Sequence, residues 1–217
     1  MIVQLAGLPG TGKSTLAAAI RDHLGLACLV LDKDRVRHAL YGAAHTEYSR
    51  SQDDFVISLL HQAAARHLAA RPDAAVILER TCTRAYQITD AAALAARAGR
   101  PLAVIECVCP DHVARDRLAA ARHSGGHPAA NRDFSLYQKL KADAEPITVP
   151  ALRLHTDTPI GESAARALSY LAQVAAGTAP HTENRQCPDQ TCPPSWTSPA
   201  RPSAPPPVTC APAPSAR

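Results

Sequence analysis

Aromatic side chains are scarce in this sequence, making up 4% of 217 residues, with Trp196 the one tryptophan. Hydrophobic residues still reach 46%, so a core can form, and it must be built mainly from Ala, Val, Leu and Ile, whose small side chains favour close helix packing. Charge of one sign is lacking too. The net charge is +4, and it falls to +3 without residues 177–217, because losing Arg185, Arg201, Arg217, Glu183 and Asp189 leaves 20 basic and 17 acidic residues. That bias is too mild to argue for nucleic acid, which ranks behind a small molecule as a partner. No apolar run approaches the ~20 residues of a membrane span. The opening MIVQLAGLPG has no basic stretch and breaks at Gly7, so neither a signal peptide nor a membrane partner is expected and a cytoplasmic location follows by default. Seven cysteines, an odd number, read as those of a reduced intracellular protein.

Proline is the exception to this thrift. Of 19 prolines, 11 lie between Pro180 and Pro214, where the hydrophobic periodicity has already stopped and too little aliphatic material remains to offset the entropy of ordering a chain. The expected organisation is a domain over residues 1–176 followed by a disordered Pro-rich tail over 177–217. Within the domain, short apolar runs alternate with helical patterns. Strands are predicted at Ile2–Ala6, Ala27–Leu31, Ala74–Leu78, Leu102–Val108 and Ala151–His155. Helices are predicted at Lys13–Leu24, Asp34–Leu40, Asp53–Ala70, Ala85–Ala98, Asp111–Arg122, Phe134–Ala142 and Glu162–Ala176. Strands that are apolar throughout are buried on both faces, and their alternation with helices requires crossovers. The expected fold class is therefore α/β, a three-layer arrangement with a parallel sheet of about five strands and helices on both faces.

The strongest motif is Gly7-Leu8-Pro9-Gly10-Thr11-Gly12-Lys13-Ser14-Thr15, a G-x-x-x-x-G-K-S string that follows a strand and opens a helix. Its glycines allow the turns that aim successive amide N–H groups inward, making an anion nest at the positive end of the helix. In such a loop Lys13 reaches the β- and γ-phosphates of ATP and the Ser14 hydroxyl ligates Mg²⁺. A second motif, Leu31-Asp32-Lys33-Asp34-Arg35-Val36-Arg37-His38, stands at the end of the second strand, and its spacing puts Asp34 and Arg37 on one helix face at the carboxyl edge of the sheet. Asp34 can accept the proton of an attacking hydroxyl while Arg37 holds a substrate anion or orients Asp34. The plainer alternative is that Asp34 caps the helix and Arg37 is a solvated charge.

These segments, with VILERT, PLAVIECVCPDHVARDRLAAAR and SGGHPAANRDFSLYQKLKADAEPI, resemble the small kinases of the AAA-type ATP-binding group, relatives of polynucleotide 5′-hydroxyl kinases, zeta toxins and chloramphenicol phosphotransferases. LDKDRVRHAL is also similar to the corresponding stretch of adenylylsulfate kinases. The resemblance covers most of residues 1–176. It implies a P-loop fold and phosphoryl transfer from ATP to a hydroxyl of a small-molecule acceptor, with Asp34 as base and Arg37 as substrate anchor. It leaves two other functions open: a nucleotide-binding regulator or ATPase switch without an acceptor, and a polynucleotide 5′-hydroxyl kinase. Where the family usually carries an aspartate, this chain has Glu79, which either serves in the outer shell of the magnesium or pairs with Arg80 or Arg84. The resemblance also implies a closing lid whose Arg122 contacts the donor phosphates, with Arg117 and Arg132 ranked below it.

The remaining cysteines and histidines give weaker signals. Cys107 and Cys109, two residues apart along a strand, read as core residues rather than zinc ligands. Cys187 and Cys192, with His181, lack a second ligand pair for zinc. His38, His61 and His67 fall on helical patterns as packing or surface residues. The segment ARPSAPPPV is either a solvated tail or a polyproline ligand.

Overall fold

A computed structural model of the protein describes residues 1–124 and 133–178, all within a compact unit that spans Met1–Glu183. Five strands, β1 (Ile2–Ala6), β2 (Cys28–Asp32), β3 (Ala75–Glu79), β4 (Leu102–Val108) and β5 (Leu152–His155), form one sheet in the order β2-β3-β1-β4-β5, with every pairing parallel. The register sets Leu5 of β1 against Glu79 of β3 and Asp32 of β2 against the same Glu79, so three strands end side by side. Chain order reverses at β1, whose neighbours are β3 and β4. In a parallel α/β sheet the crevice outside the carboxyl ends at such a reversal is where ligands bind.

Alternation along β1 explains why all five of its residues are buried. Val3 and Leu5 enter a cluster with Leu16, Ala17 and Ile20 of α1 (Lys13–Leu24) and with Ala167, Tyr170 and Leu171 of α7 (Ile160–Ala175). Ile2 faces the other way, onto Ala64 and Leu68 of α3 (Arg50–Ala70) and Ala91, Leu94 and Ala95 of α4 (Ala85–Ala98). Gln4 on that second face is buried as well, and its amide donates to the carbonyls of Leu5 and Leu78 at 3.1 Å each, which removes the cost of an unpaired polar group. The scarcity of aromatics foretold this alanine- and leucine-filled interior.

Three helix starts differ from the sequence expectation, each at its cap, and several other element ends shift by one or two residues. The helix expected from Asp34 begins at Lys33, as α2 (Lys33–Tyr41), because the Asp32 carboxylate accepts from the backbone N–H groups of Asp34 and Arg35 and so ends the strand as it starts the helix. The helix expected from Asp53 begins at Arg50, where the Ser49 hydroxyl accepts from Gln52 N–H at 3.1 Å. The last helix starts at Ile160, just after Pro159, whose fixed φ suits a helix entrance. The two remaining helices, α5 (Asp111–Ser124) and α6 (Phe134–Asp143), are joined by Tyr137, which is buried against Ala114 and Leu118. Among the described residues no helix is long and apolar enough to cross a membrane. The expected tail, with Cys187, Cys192 and the proline-rich segment, falls almost entirely outside the described residues, as does Arg132.

Candidate functional site

The chain leaves β1 at Ala6 and enters the glycine loop, where Gly7, Gly10 and Gly12 all have positive φ. At Gly7, with φ +141°, a Cβ would collide with the Cys107 carbonyl oxygen and sit 2.7 Å from Thr11 Oγ1. At Gly10 it would lie 2.9 Å from the Ala114 carbonyl oxygen and 3.0 Å from Leu118 Cγ. The loop is therefore pressed between the ends of β3 and β4 and the side of α5, and only glycine fits those positions. Gly7 N–H donates to the Thr81 carbonyl at 3.0 Å, and Thr11 Oγ1 donates to that of Leu8 at 2.8 Å. Lys13 is buried, its Nζ donating to the carbonyls of Gly7 at 2.7 Å and Leu8 at 3.0 Å. Next to it the Ser14 hydroxyl donates to Glu79 Oε1 at 2.5 Å. Thr15 is exposed in the same turn.

These observations bear on ATP and Mg²⁺. A glycine nest at the N-terminus of a twelve-residue helix, with a buried ammonium turned onto it, is suited to phosphate oxygens. A hydroxyl and a carboxylate in contact at its edge are hard oxygen donors of the sort Mg²⁺ takes. Glu79 contacts Ser14, whereas Arg80 pairs with Asp54 at 2.7 Å and Arg84 with Glu145 at 3.2 Å. The alternative in which Glu79 is spent on one of those arginines is not the arrangement observed.

Across the crevice, α2 and the start of α3 bring Asp34 and Arg37 together as the spacing predicted. Arg37 Nη2 donates to Asp34 Oδ1 at 2.7 Å, and Nη1 donates to Asp53 Oδ1. Arg37 is not a solvated charge but is buried, and the Tyr48 ring lies 4.6 Å from its guanidinium carbon. Nor is Asp34 the helix cap, which is Asp32. Lys33 Nζ donates to Asp53 Oδ2 at 2.7 Å. Pro9, Lys13, Asp34, Arg37, Glu79 and Arg80 all line one cavity of about 180 Å³. The donor loop and the Asp34–Arg37 pair therefore open onto a single space.

The arginines of the expected lid divide. Arg117 is the one described as touching the glycine loop: its guanidinium donates to the Thr156 carbonyl at 2.6 Å and hydroxyl at 3.2 Å, and reaches the Gly10 carbonyl at 3.5 Å. Thr156, just past β5, donates in turn to the Thr11 carbonyl at 2.9 Å. Arg122 lies exposed in the last turn of α5, and Arg115 is held over the Phe134 ring at 4.4 Å. The cysteines offer no nucleophile among the described residues. Burial pushes the thiols of Cys82 and Cys107 up to about 12 and raises those of Cys28 and Cys109. Cys107 is a core residue as expected, but Cys109 is only half-buried, because β4 ends at Val108 and the alternation that would bury it stops there. Among the described residues no group of His, Cys, Asp and Glu is arranged to hold a metal without help from a ligand.

Sequence reasoning missed Asp53, Lys33, Tyr48 and Thr156 as parts of this site. Lys33 sits inside the second motif, so its position was visible if its partner was not. Asp53 was visible only as a helix residue, and nothing in its neighbourhood links it to Arg37.

A glycine nest feeding a helix at the reversal point of a 2-3-1-4-5 parallel sheet defines a P-loop nucleotide-binding protein. A family model described as an AAA domain matches residues 2–146, well over half of the chain, and the chain belongs to that family. No curated protein sequence matches it significantly. Among solved structures it is similar to the APS kinase CysC of Mycobacterium tuberculosis, in complex with AMPPNP and APS. The two share 26% identity at a TM-score of 0.58, over 79% of this chain and 96% of the other. It is also similar to a gluconokinase from Sinorhizobium meliloti (18% identity, TM-score 0.58, 81% and 93% covered) and to Kti12 of Chaetomium thermophilum in complex with ADP-AlF3 (18%, 0.63, 82% and 100%). Its fold is thus that of P-loop kinases.

Proposed function

We propose that this protein is an ATP- and Mg²⁺-dependent kinase that transfers the γ-phosphoryl group to a hydroxyl of a small molecule, with residues 1–176 as the catalytic unit. The single observation that carries the reading is that the glycine loop and the Asp34–Arg37 pair line the same cavity. A switch that only hydrolyses ATP has no need of a built wall opposite its phosphates. The neighbours named for APS kinase and gluconokinase activity support an acceptor of small size.

The chain's own residues suffice for most of the work. The N–H groups of Gly10, Gly12, Lys13, Ser14 and Thr15 hold the β- and γ-phosphates, and Lys13, released from the carbonyls of Gly7 and Leu8, takes up the charge that spreads over the γ-oxygens. Asp34 accepts the proton from the acceptor hydroxyl. Its carboxylate is fixed by Arg37, itself packed under Tyr48, so that little reorganisation remains when the hydroxyl attacks. Ser14 and Glu79 are the residues that would hold Mg²⁺, which when bound neutralises charge on the phosphates. Arg117 supports the loop from α5, and Arg122 remains the candidate for a lid contact with the donor. No cytosolic address is needed for this chemistry, although a cytoplasmic site suits an ATP-consuming enzyme.

Release of ADP by the purified full chain, measured against a panel of sugars and sugar acids, nucleosides and nucleotides, hydroxylated antibiotics and 5′-hydroxyl oligonucleotides, tests the reading. A small-molecule kinase predicts that one of the first three classes raises ADP release and carries the label of γ-³²P-ATP. If slow hydrolysis is unaffected by every class, the protein is a nucleotide switch. Labelling confined to oligonucleotides would make it a polynucleotide kinase.

A further inference from the structure

The wall opposite the glycine loop is built of charges that cancel. Lys33, Arg37 and Arg80 line the cavity at only 9%, 4% and 5% exposure. Desolvated cations of that kind are ordinarily anion receptors, but here each is already engaged. Lys33 Nζ lies 2.7 Å from Asp53 and 3.5 Å from Asp34, and Arg37 contacts the same two carboxylates. Two cations and two carboxylates thus contact one another in a ring, while Arg80 is matched by Asp54 at 2.7 Å. A phosphate, sulfate or carboxylate on an incoming acceptor would add a third negative charge beside the two carboxylates that already hold these cations, and would not recover its own desolvation there. Besides these the wall offers one more carboxylate, Asp32, which caps α2, and neutral groups: Thr83, Gln87 and Tyr48 for hydrogen bonding, and Leu136 and Leu140 as apolar surface.

The same wall carries the backbone strain. Among the described residues the non-glycine positions with positive φ are Tyr48 (+53°) and Cys82 (+56°), and both line this cavity. Left-handed backbone at such residues costs roughly 1–3 kcal/mol each and persists where the surroundings over-determine it. Here it lays the Tyr48 ring over Arg37 and covers one face of the guanidinium.

We propose that Asp53 is the specificity-determining residue of the acceptor site: by closing the ring around Lys33 and Arg37 it makes the cavity select uncharged hydroxyl compounds and reject anionic ones. This rests on reading the cavity as the acceptor side of a kinase. In the transfer it serves, the bond from the acceptor oxygen to γ-phosphorus forms, the bond from γ-phosphorus to the β–γ bridging oxygen breaks, the hydroxyl proton passes to Asp34, and ADP leaves with the bridging electrons. Asp53 takes no part in these bonds and acts only through the two cations.

The test uses the full chain with Mg²⁺–AMPPNP filling the glycine loop and inorganic sulfate as the anion probe, titrated by calorimetry into the wild type, Asp53→Asn and Asp53→Glu. The wild type and Asp53→Glu should take up sulfate weakly or not at all, and Asp53→Asn at least about tenfold more tightly, because its Lys33 and Arg37 are left with one carboxylate between them. Tight sulfate binding by the wild type, or a folded Asp53→Asn that binds no better than the wild type, overturns the proposal. If Asp53→Asn does not fold, the wild-type titration alone decides, with tight uptake against the proposal and its absence in favour. Turnover provides a separate readout. With glucose against gluconate and adenosine against adenosine 5′-phosphate, acceptor-dependent ADP release should favour the uncharged member, and a preference for the anionic one would contradict the assignment. Failure of every acceptor to raise ADP release counts against the kinase reading and leaves the sulfate result to judge the ring.

Discussion

The glycine loop and the wall that faces it across the cavity are held in shape by different means. On the donor side the backbone carries the design: positive-φ glycines and N–H groups run consecutively from β1 into α1, with the residues following β3, the end of β4 and α5 pressed against them. On the acceptor side the design lies in side-chain charges contributed by α2, α3 and the residue after β3, and no short motif joins the partners: Asp53 is sixteen residues from Arg37, and Asp54 twenty-six from Arg80. A backbone site tolerates almost no added atoms but is indifferent to what the acceptor is. A side-chain site can be rebalanced one residue at a time, which is how one fold can accommodate different acceptors while keeping one donor.

The contrast predicts a sharp asymmetry under mutation. Gly7→Ala should be the most damaging change on the donor side, since its Cβ has no room against Cys107 and the backbone there is forbidden to alanine. About 3 kcal/mol of stability and most nucleotide affinity should be lost, read by denaturant unfolding and AMPPNP titration. Arg117→Ala tests whether α5 braces the loop. Removing its bonds to Thr156 and Gly10 should lower ATP affinity about tenfold and speed hydrogen exchange at Gly10 to Lys13, with stability little changed. An effect confined to Arg122→Ala would restore Arg122 as the chief donor contact.

The smallest effect lies where α5 meets α6. Hydrogen bonds from Lys141 and Tyr137 hold the Asp111 carboxyl below its ordinary value. A depressed carboxylate contributes stability that is fully present above the ordinary range near pH 4 and is lost as the pH falls through its lower folded value. Because the pair is about half exposed, with 53% of the Lys141 and 49% of the Asp111 side chain accessible, the amount is no more than ~0.5 kcal/mol and should shrink with salt. Comparing Asp111→Asn with the wild type between neutral pH and pH 3 should show the difference vanish in acid.

The same contrast accounts for what could be read in advance. The sheet, the alternating helices and the glycine loop are written in local patterns, because period, burial and turn chemistry act over a few residues. Asp34 with Arg37 is also local, three residues on one helix. Asp53 is not: on α3 it resembles any acidic residue of a first helical turn, and only the packing of α2 against α3 turns it toward Arg37. The ranking of Arg122 over Arg117 came from family likeness rather than geometry. The loop rests on α5 through Ala114 and Leu118, which puts Arg117 beside it and Arg122 more than a turn beyond. Glu79 was visible as a departure from an aspartate, while its contact with Ser14 depends on the register of β3 beside β1.

The account stands most directly on Asp34. With any acceptor that raises ADP release, Asp34→Asn should reduce kcat/KM for that acceptor by roughly 10²–10⁴ while AMPPNP affinity stays within a few-fold, since the substitution removes a proton acceptor and leaves the glycine loop untouched. Transfer at the wild-type rate by Asp34→Asn would contradict the assignment of the base and with it the reading of this cavity as a kinase site.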